Sequence, residues 1–137
     1  MEYKPTSASA IEFSKAGKLE DWIHLFLCGE GKNRAFSEGL KLELRKYYHP
    51  KMLELNRFER CCGPEEEMKF KVPEKQFNKH VNEIALSFNK GDWDMPPLII
   101  NMNGNNFVLN DGNHRFEALK KLGVKKYWII LWETISL

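Results

Sequence analysis

Leu109-Asn110-Asp111-Gly112-Asn113-His114-Arg115-Phe116-Glu117-Ala118-Leu119-Lys120-Lys121-Leu122-Gly123 is the stretch around which the rest of the chain is read. Just before it, the β-prone run Phe107-Val108-Leu109 stops at a cluster of turn formers, and a helical pattern starts straight afterwards. The outline is strand, sharp polar turn, helix. Gly123 follows the last periodic apolar residue, where a left-handed C-terminal cap belongs, and Lys120 and Lys121 in the final turn oppose the dipole's negative end. At the start, Asn110 and Asp111 are good N-cap types, and Gly112 lets the backbone come close to whatever binds.

At helical spacing Ala118, Leu119 and Leu122 fall on one stripe, with Arg115 in its middle. A guanidinium on a buried face needs a counter-charge, because an unpaired one costs several kcal/mol. Two partners satisfy it equally well on spacing alone. One is an internal carboxylate such as Asp111 or Asp94. The other is a ligand phosphate, held by the free amides at the helix start, the positive end of the dipole and the arginine fork.

Asp111-Gly112-Asn113-His114-Arg115-Phe116-Glu117-Ala118 resembles the Gly-x-x-Arg-x-x-Ala signature of the ParB/sulfiredoxin-like superfamily, and the match extends from Pro96-Pro97 to the run ending near Trp132. The resemblance implies an α+β fold: a compact domain over 51–137 with a small mixed β-sheet flanked by helices, preceded by a helical extension over 1–50. It implies a nucleotide, ATP or CTP, whose phosphates meet Gly112, Asn113, His114 and Arg115. Anchored at Pro96-Pro97, it places His80, Glu83 and Ser87 where relatives contact the nucleoside. Departures narrow it. Sulfiredoxins carry a reactive cysteine where this chain has Asn113, so a cysteine-based sulfiredoxin is not expected. ParB proteins have Gly-Glu-Arg-Arg and a DNA-binding helical region downstream, which this chain is expected to lack. Free-serine kinases carry a Gly-His-Thr-Arg-like version that Gly112-Asn113-His114-Arg115 matches loosely.

Composition sets bounds. The 137 residues, 42% hydrophobic, suffice for one domain with a real core. A formal charge of +2 with 29% charged residues gives no excess for gripping a nucleic-acid backbone, so nucleic acid is not a favoured partner. No run approaches a membrane span and Met1-Glu2-Tyr3-Lys4-Pro5 is not a secretory start, so a soluble, cytoplasmic protein with no membrane partner is expected. Cys28, Cys61 and Cys62 suggest neither a disulfide framework nor a zinc site.

Along the chain, residues 1–8 are polar and small and are expected to be poorly ordered. Helical patterns follow over Ser9 to Ala16 and Leu19 to Cys28. The second has a large aromatic face for packing on the core, for a dimer surface or for a lid over the site. Gly31-Lys32-Asn33-Arg34 reads as a solvated turn, and the alternation in Leu40-Lys41-Leu42-Glu43-Leu44-Arg45 as a half-buried strand continuing into Tyr47-Tyr48. Met52 to Leu55 reads as the first core strand, Cys61 to Glu67 as an acidic loop, and Glu74 to Asn89 as a helix with Phe77, Val81, Ile84, Ala85 and Phe88 on its stripe. After the loop Lys90-Gly91-Asp92-Trp93-Asp94, Leu98-Ile99-Ile100 reads as a strand covered on both faces. Asn103-Gly104-Asn105-Asn106 makes it a hairpin with Phe107-Val108-Leu109, and Tyr127 to Trp132 is the last core strand.

A bound nucleotide leaves Asp111 beside a polyphosphate, which suits it to capping the helix or to a bridging magnesium ion. His114 is suited to donating to a phosphate or shuttling a proton, which makes His114 and Asp111 the catalytic candidates. Three functions follow: a nucleotide-binding domain that transfers or hydrolyses a phosphoryl group; a non-enzymatic regulatory module of the same fold; and a ParB-like nuclease. The last needs a metal–carboxylate cluster, for which Asp111 and the Glu65 to Glu67 run are isolated candidates.

Overall fold

Alternation in the two most apolar runs builds the centre of the molecule. In the computed structural model, which describes residues 1–91 and 93–136, β6 (Leu98–Asn103) lies parallel to β8 (Lys126–Thr134), with Leu98 beside Ile129 and Ile100 beside Leu131. Asp92, in the loop read between the long helix and Pro96, and Leu137 lie outside the described residues. On the far side of β8, β1 (Arg45–Tyr47) and β2 (Lys51–Glu54) pair antiparallel along successive parts of its length. β7 (Asn106–Asp111) closes the expected hairpin with β6, and β3 (Glu59–Arg60) pairs parallel to β7 at the edge. The sheet is mixed and the protein is α+β.

Both faces of this sheet are covered, which is why its central strands carry unbroken apolar runs. Ile99, Ile130 and Trp132 point to one face, where α1 (Ser7–Lys15) delivers Phe13, α2 (Leu19–Cys28) Trp22, Ile23, Phe26 and Leu27, and α3 (Arg34–Leu40) Leu40. Leu98, Ile100, Ile129 and Leu131 point to the other, against Phe116 and Leu119 of α5 (Asn113–Lys121). The 16-residue α4 (Glu74–Asn89) packs on α5 through Phe77, Val81 and Ala118. Its bounds are those read from the sequence. A short pair, β4 (Cys62–Gly63) with β5 (Phe70–Lys71), leads into α4.

Three expectations are corrected. Residues 1–8 are tied down: Trp22 Nε1 donates to the Lys4 carbonyl at 3.0 Å, Ser7 Oγ donates to the Met95 carbonyl at 2.6 Å, and Thr6 caps α1. The stretch from Leu40 to Leu44 is not a strand. Leu40 ends α3 and Leu42 and Leu44 are exposed, because Arg45 already pairs with Thr134, the last residue of β8, and beyond it one hydrogen bond, from the Ile135 amide to the Leu44 carbonyl at 2.9 Å, joins the two segments. Asn33 is no solvated turn residue, since its side chain accepts from the Phe36 amide and opens α3.

Candidate functional site

The turn between β7 and α5 is built around a left-handed glycine. Gly112 has φ of 106°, and a Cβ there would lie 2.6 Å from Leu98 Cδ2 and 2.9 Å from Arg115 Nη2, so both backbone and space require glycine. Gly112 is itself the residue preceding α5 and gives it no side-chain cap. Asn110 and Asp111, the N-cap types seen in the sequence, point elsewhere: Asn110 Oδ1 accepts from Trp132 Nε1 at 2.9 Å, and Asp111 turns back to Arg115. The amides of Asn113, His114 and Arg115 therefore lack helical partners, and none donates to a loop carbonyl or side chain among the described residues. At the other end Gly123 and Val124 close the helix on Lys120 and Leu119, as the sequence indicates.

Arg115 takes the internal partner. Its Nη2 donates to Asp111 Oδ2 at 2.8 Å, and its Nη1 donates to the carbonyls of Pro96 and Pro97 at 2.7 and 3.0 Å. Phe26 of α2 stacks under the guanidinium at 5.3 Å. Burial pulls the arginine's pKa down and Asp111 pulls it back up. Asp94, the other carboxylate considered, instead accepts from the Ala8 amide at the start of α1. The second oxygen of Asp111 accepts from Asn33 Nδ2 at 3.1 Å, so the carboxylate joins the N-terminal layer to the turn. With both oxygens engaged and the side chain 9% exposed, Asp111 does not suit a magnesium ion, and among the described residues no group of three His, Cys, Asp or Glu gathers to hold a metal.

Asn113 is buried and also turned inward. Its Oδ1 accepts from the amides of Cys61 at 3.0 Å and Cys62 at 3.1 Å, pinning the β3–β4 segment to α5. Its carboxamide thus has a backbone to hold, leaving only its own amide for a ligand. The acidic loop beyond is similarly occupied: Glu65 Oε1 accepts from Arg60 at 2.6 Å, and Arg60 also lies 3.4 Å from Glu117 on α5. The Cys61 and Cys62 thiols are free and burial pushes both pKa values up, away from thiolate chemistry.

His114 alone in this turn faces outward, into a cavity of about 350 Å³. Its ring lies 4.3 Å from that of His80 and 4.8 Å from that of Phe77, both on α4 and tilted against it by 40° and 37°. Burial first, then the charges of His80, Arg115 and Arg60, lower its pKa to about 4. Asp111, Gly112 and Arg115 form the floor of the cavity; His80 and Ile84 of α4, with Trp93 and Pro96, form one wall. The opposite wall, Pro5, Phe26, Glu30 and Gly31, comes entirely from the N-terminal layer; Phe26 belongs to the helix for which a lid over the site is one sequence reading, whereas Pro5, Glu30 and Gly31 carry no such signal. Of the three residues expected to contact a nucleoside, only His80 lines the cavity; Glu83 and Ser87 are exposed and Ile84 stands where they were placed. The residue one helical turn on from His80 signals this, since Ile84 continues the α4 stripe onto the same side.

No protein-family model and no curated protein matches the chain. Among solved structures it is similar to a Pnob8-like ParB-N domain, at 22% identity and a TM-score of 0.45 over 66% of this chain and 30% of that one. It is similar to a conserved hypothetical protein from Pyrococcus furiosus, at 16% identity and a TM-score of 0.48 over 63% of this chain and 33% of that one. SbnI from Staphylococcus aureus is similar at 20% identity and a TM-score of 0.44, over 64% of this chain and 31% of that one. The chain spans about a third of the length of these structures, and the likeness to ParB N-domains is one of fold.

Proposed function

We propose that the chain is a ParB-like domain that binds the phosphate of a nucleotide at the start of α5. The observation that carries this reading is the first turn of α5, where three amides without helical partners follow a left-handed glycine on the floor of a 350 Å³ cavity. That volume sits at the small end of the roughly 300–1,000 Å³ typical of small-molecule sites. Its apolar side walls, Phe26, Ile84, Trp93 and Pro96, suit the flat face of a base, and His114 and His80 are the side chains left to meet the phosphate. Arg115 contributes its field and its two remaining N–H groups, while its main bonds hold the turn in shape.

A non-enzymatic binding or regulatory module is the form of this reading that the Asp111–Arg115 pair favours. Phosphoryl transfer or hydrolysis needs a base or metal-holding carboxylate at the phosphate, and Asp111 is committed to its two partners. His114, neutral at pH 7, is the remaining catalytic candidate. Thermal-shift titration with ATP and CTP, with and without magnesium, tests both levels. Stabilisation of the wild type that is lost in His114→Ala, with no release of phosphate over hours, supports the module. Turnover lost in His114→Ala supports the enzyme. No stabilisation by either nucleotide rejects the phosphate site.

A further inference from the structure

His80 and His114 stand on different helices, yet their rings meet at 4.3 Å, tilted by 40°, over the same cavity whose floor is the start of α5. Around His114 the charged groups are predominantly positive: Arg60 reaches it from β3, Arg115 from α5 and His80 from α4, while Phe77 gives an apolar edge. Arg60 is neutralised by Glu65 and Glu117, and Arg115 by Asp111, so no carboxylate is left over for an imidazolium at His114. Glu30 is in the far wall and already accepts from Tyr3 Oη at 2.7 Å. A dianion on the α5 amides would supply the missing negative charge.

We propose that His80 and His114 form a proton-accepting pair, so that a dianion docking on the α5 amides brings one proton from solvent onto His114 as it binds. This rests on the phosphate site proposed above. The proton adds to the unprotonated ring nitrogen of His114, and no bond in the anion breaks. Binding then strengthens as the pH falls, because the complex holds a proton that the free protein does not. The free value of about 4 for His114 sets the lower end of that window. Burial first, and then the charge of His80 beside it, keep the proton off His114 until an anion arrives.

Sulfate is the probe, since it carries two charges across the whole range and does not itself titrate there. The imidazole signals of His24, His49, His80 and His114 are followed by NMR from pH 3 to 8 in chloride and in sulfate at equal ionic strength. The midpoint of His114 should rise by about one pH unit or more in sulfate, equivalent to about tenfold tighter binding to the protonated form, while His24 and His49 stay in place. In His80→Asn, and also in His80→Phe, which keeps His114 covered, the sulfate-free midpoint of His114 should already be higher; the rise in His80→Phe is a change that a merely space-filling His80 would not produce. If the amides of Asn113 to Arg115 respond to sulfate and the His114 midpoint does not move, the coupling is wrong and the anion site stands. An unmoved sulfate-free midpoint in either variant overturns the pair. If sulfate moves no amide, the proposal falls, and the nucleotide titration decides separately whether the site does.

Discussion

Asn113 and Arg115 flank His114 in a single turn of α5, yet the three do opposite work. The outer two are buried, at 6% and 8% exposure, and spend their polar atoms on backbone far away in sequence: Asn113 on Cys61 and Cys62, Arg115 on Pro96 and Pro97. His114 meets only rings and the cavity. Successive helical residues point about 100° apart, so one turn can carry a buried brace and an open face together. The lesson is that an arginine on a buried stripe beside a glycine turn need not be waiting for a ligand. Here it shapes the turn, and one histidine is left facing the cavity.

Removing Arg115 is the strongest way to break this contrast. Arg115→Ala strands Asp111 and leaves two proline carbonyls without donors, and should cost about 3–5 kcal/mol in urea unfolding. Arg115→Lys should recover little, because a point charge cannot serve three acceptors that a planar fork reaches at once. If Arg115→Ala is as stable as the wild type and only loses ligand, then the brace is misassigned.

Asn113→Ala should come next, at about 1–3 kcal/mol, since two buried amides lose their shared acceptor. Asn113→Asp keeps the oxygen and should recover most of the loss. Equal destabilisation by both substitutions would mean that the pinning of Cys61 and Cys62 is not what Asn113 supplies.

The brace was partly readable in advance. Arg115 falls on the apolar stripe, which demands a partner, and Asp111 lies four residues earlier, within reach at helical spacing; spacing alone does not decide between it and a phosphate. The hairpin, the doubly covered Leu98-Ile99-Ile100 run and the α4 bounds follow from local pattern and are found as expected. What local pattern does not carry is contact across the chain. Asn33 reaches Asp111 across 78 positions, and Ser7 reaches Met95 across 88, and neither leaves a periodic trace. One cavity wall is therefore legible only in its helix, as a lid, while Pro5 and Glu30 lie in segments whose chemistry gives no sign of where they fold.

His114 should respond differently, through pH rather than through overall stability. An unfolded imidazole titrates near 6.5, whereas folded His114 does so at about 4. Between these values the unfolded chain holds more protons, so the contribution of neutral His114 is full above pH 6.5 and is lost as the pH falls toward 4. His114→Ala lacks that slope. Urea midpoints measured from pH 7.5 to 4.5 should fall more steeply in the wild type than in the variant, and parallel curves would remove the burial argument for a neutral His114.

The smallest effects belong to the outer edge of α4, and they separate the two readings of that helix. Glu83 and Ser87 are exposed and take no part in the cavity, so Glu83→Ala and Ser87→Ala should each stay within about 0.5 kcal/mol in stability. They should also leave nucleotide-induced thermal shifts unchanged. Ile84→Asn, one helical step from Glu83, places a polar group on the wall beside His80 and should weaken those shifts while costing only modest stability, since Ile84 is half-buried. Loss of nucleotide response in Glu83→Ala or Ser87→Ala, with Ile84→Asn unaffected, would rotate the binding face of α4 back to the position inferred from the motif.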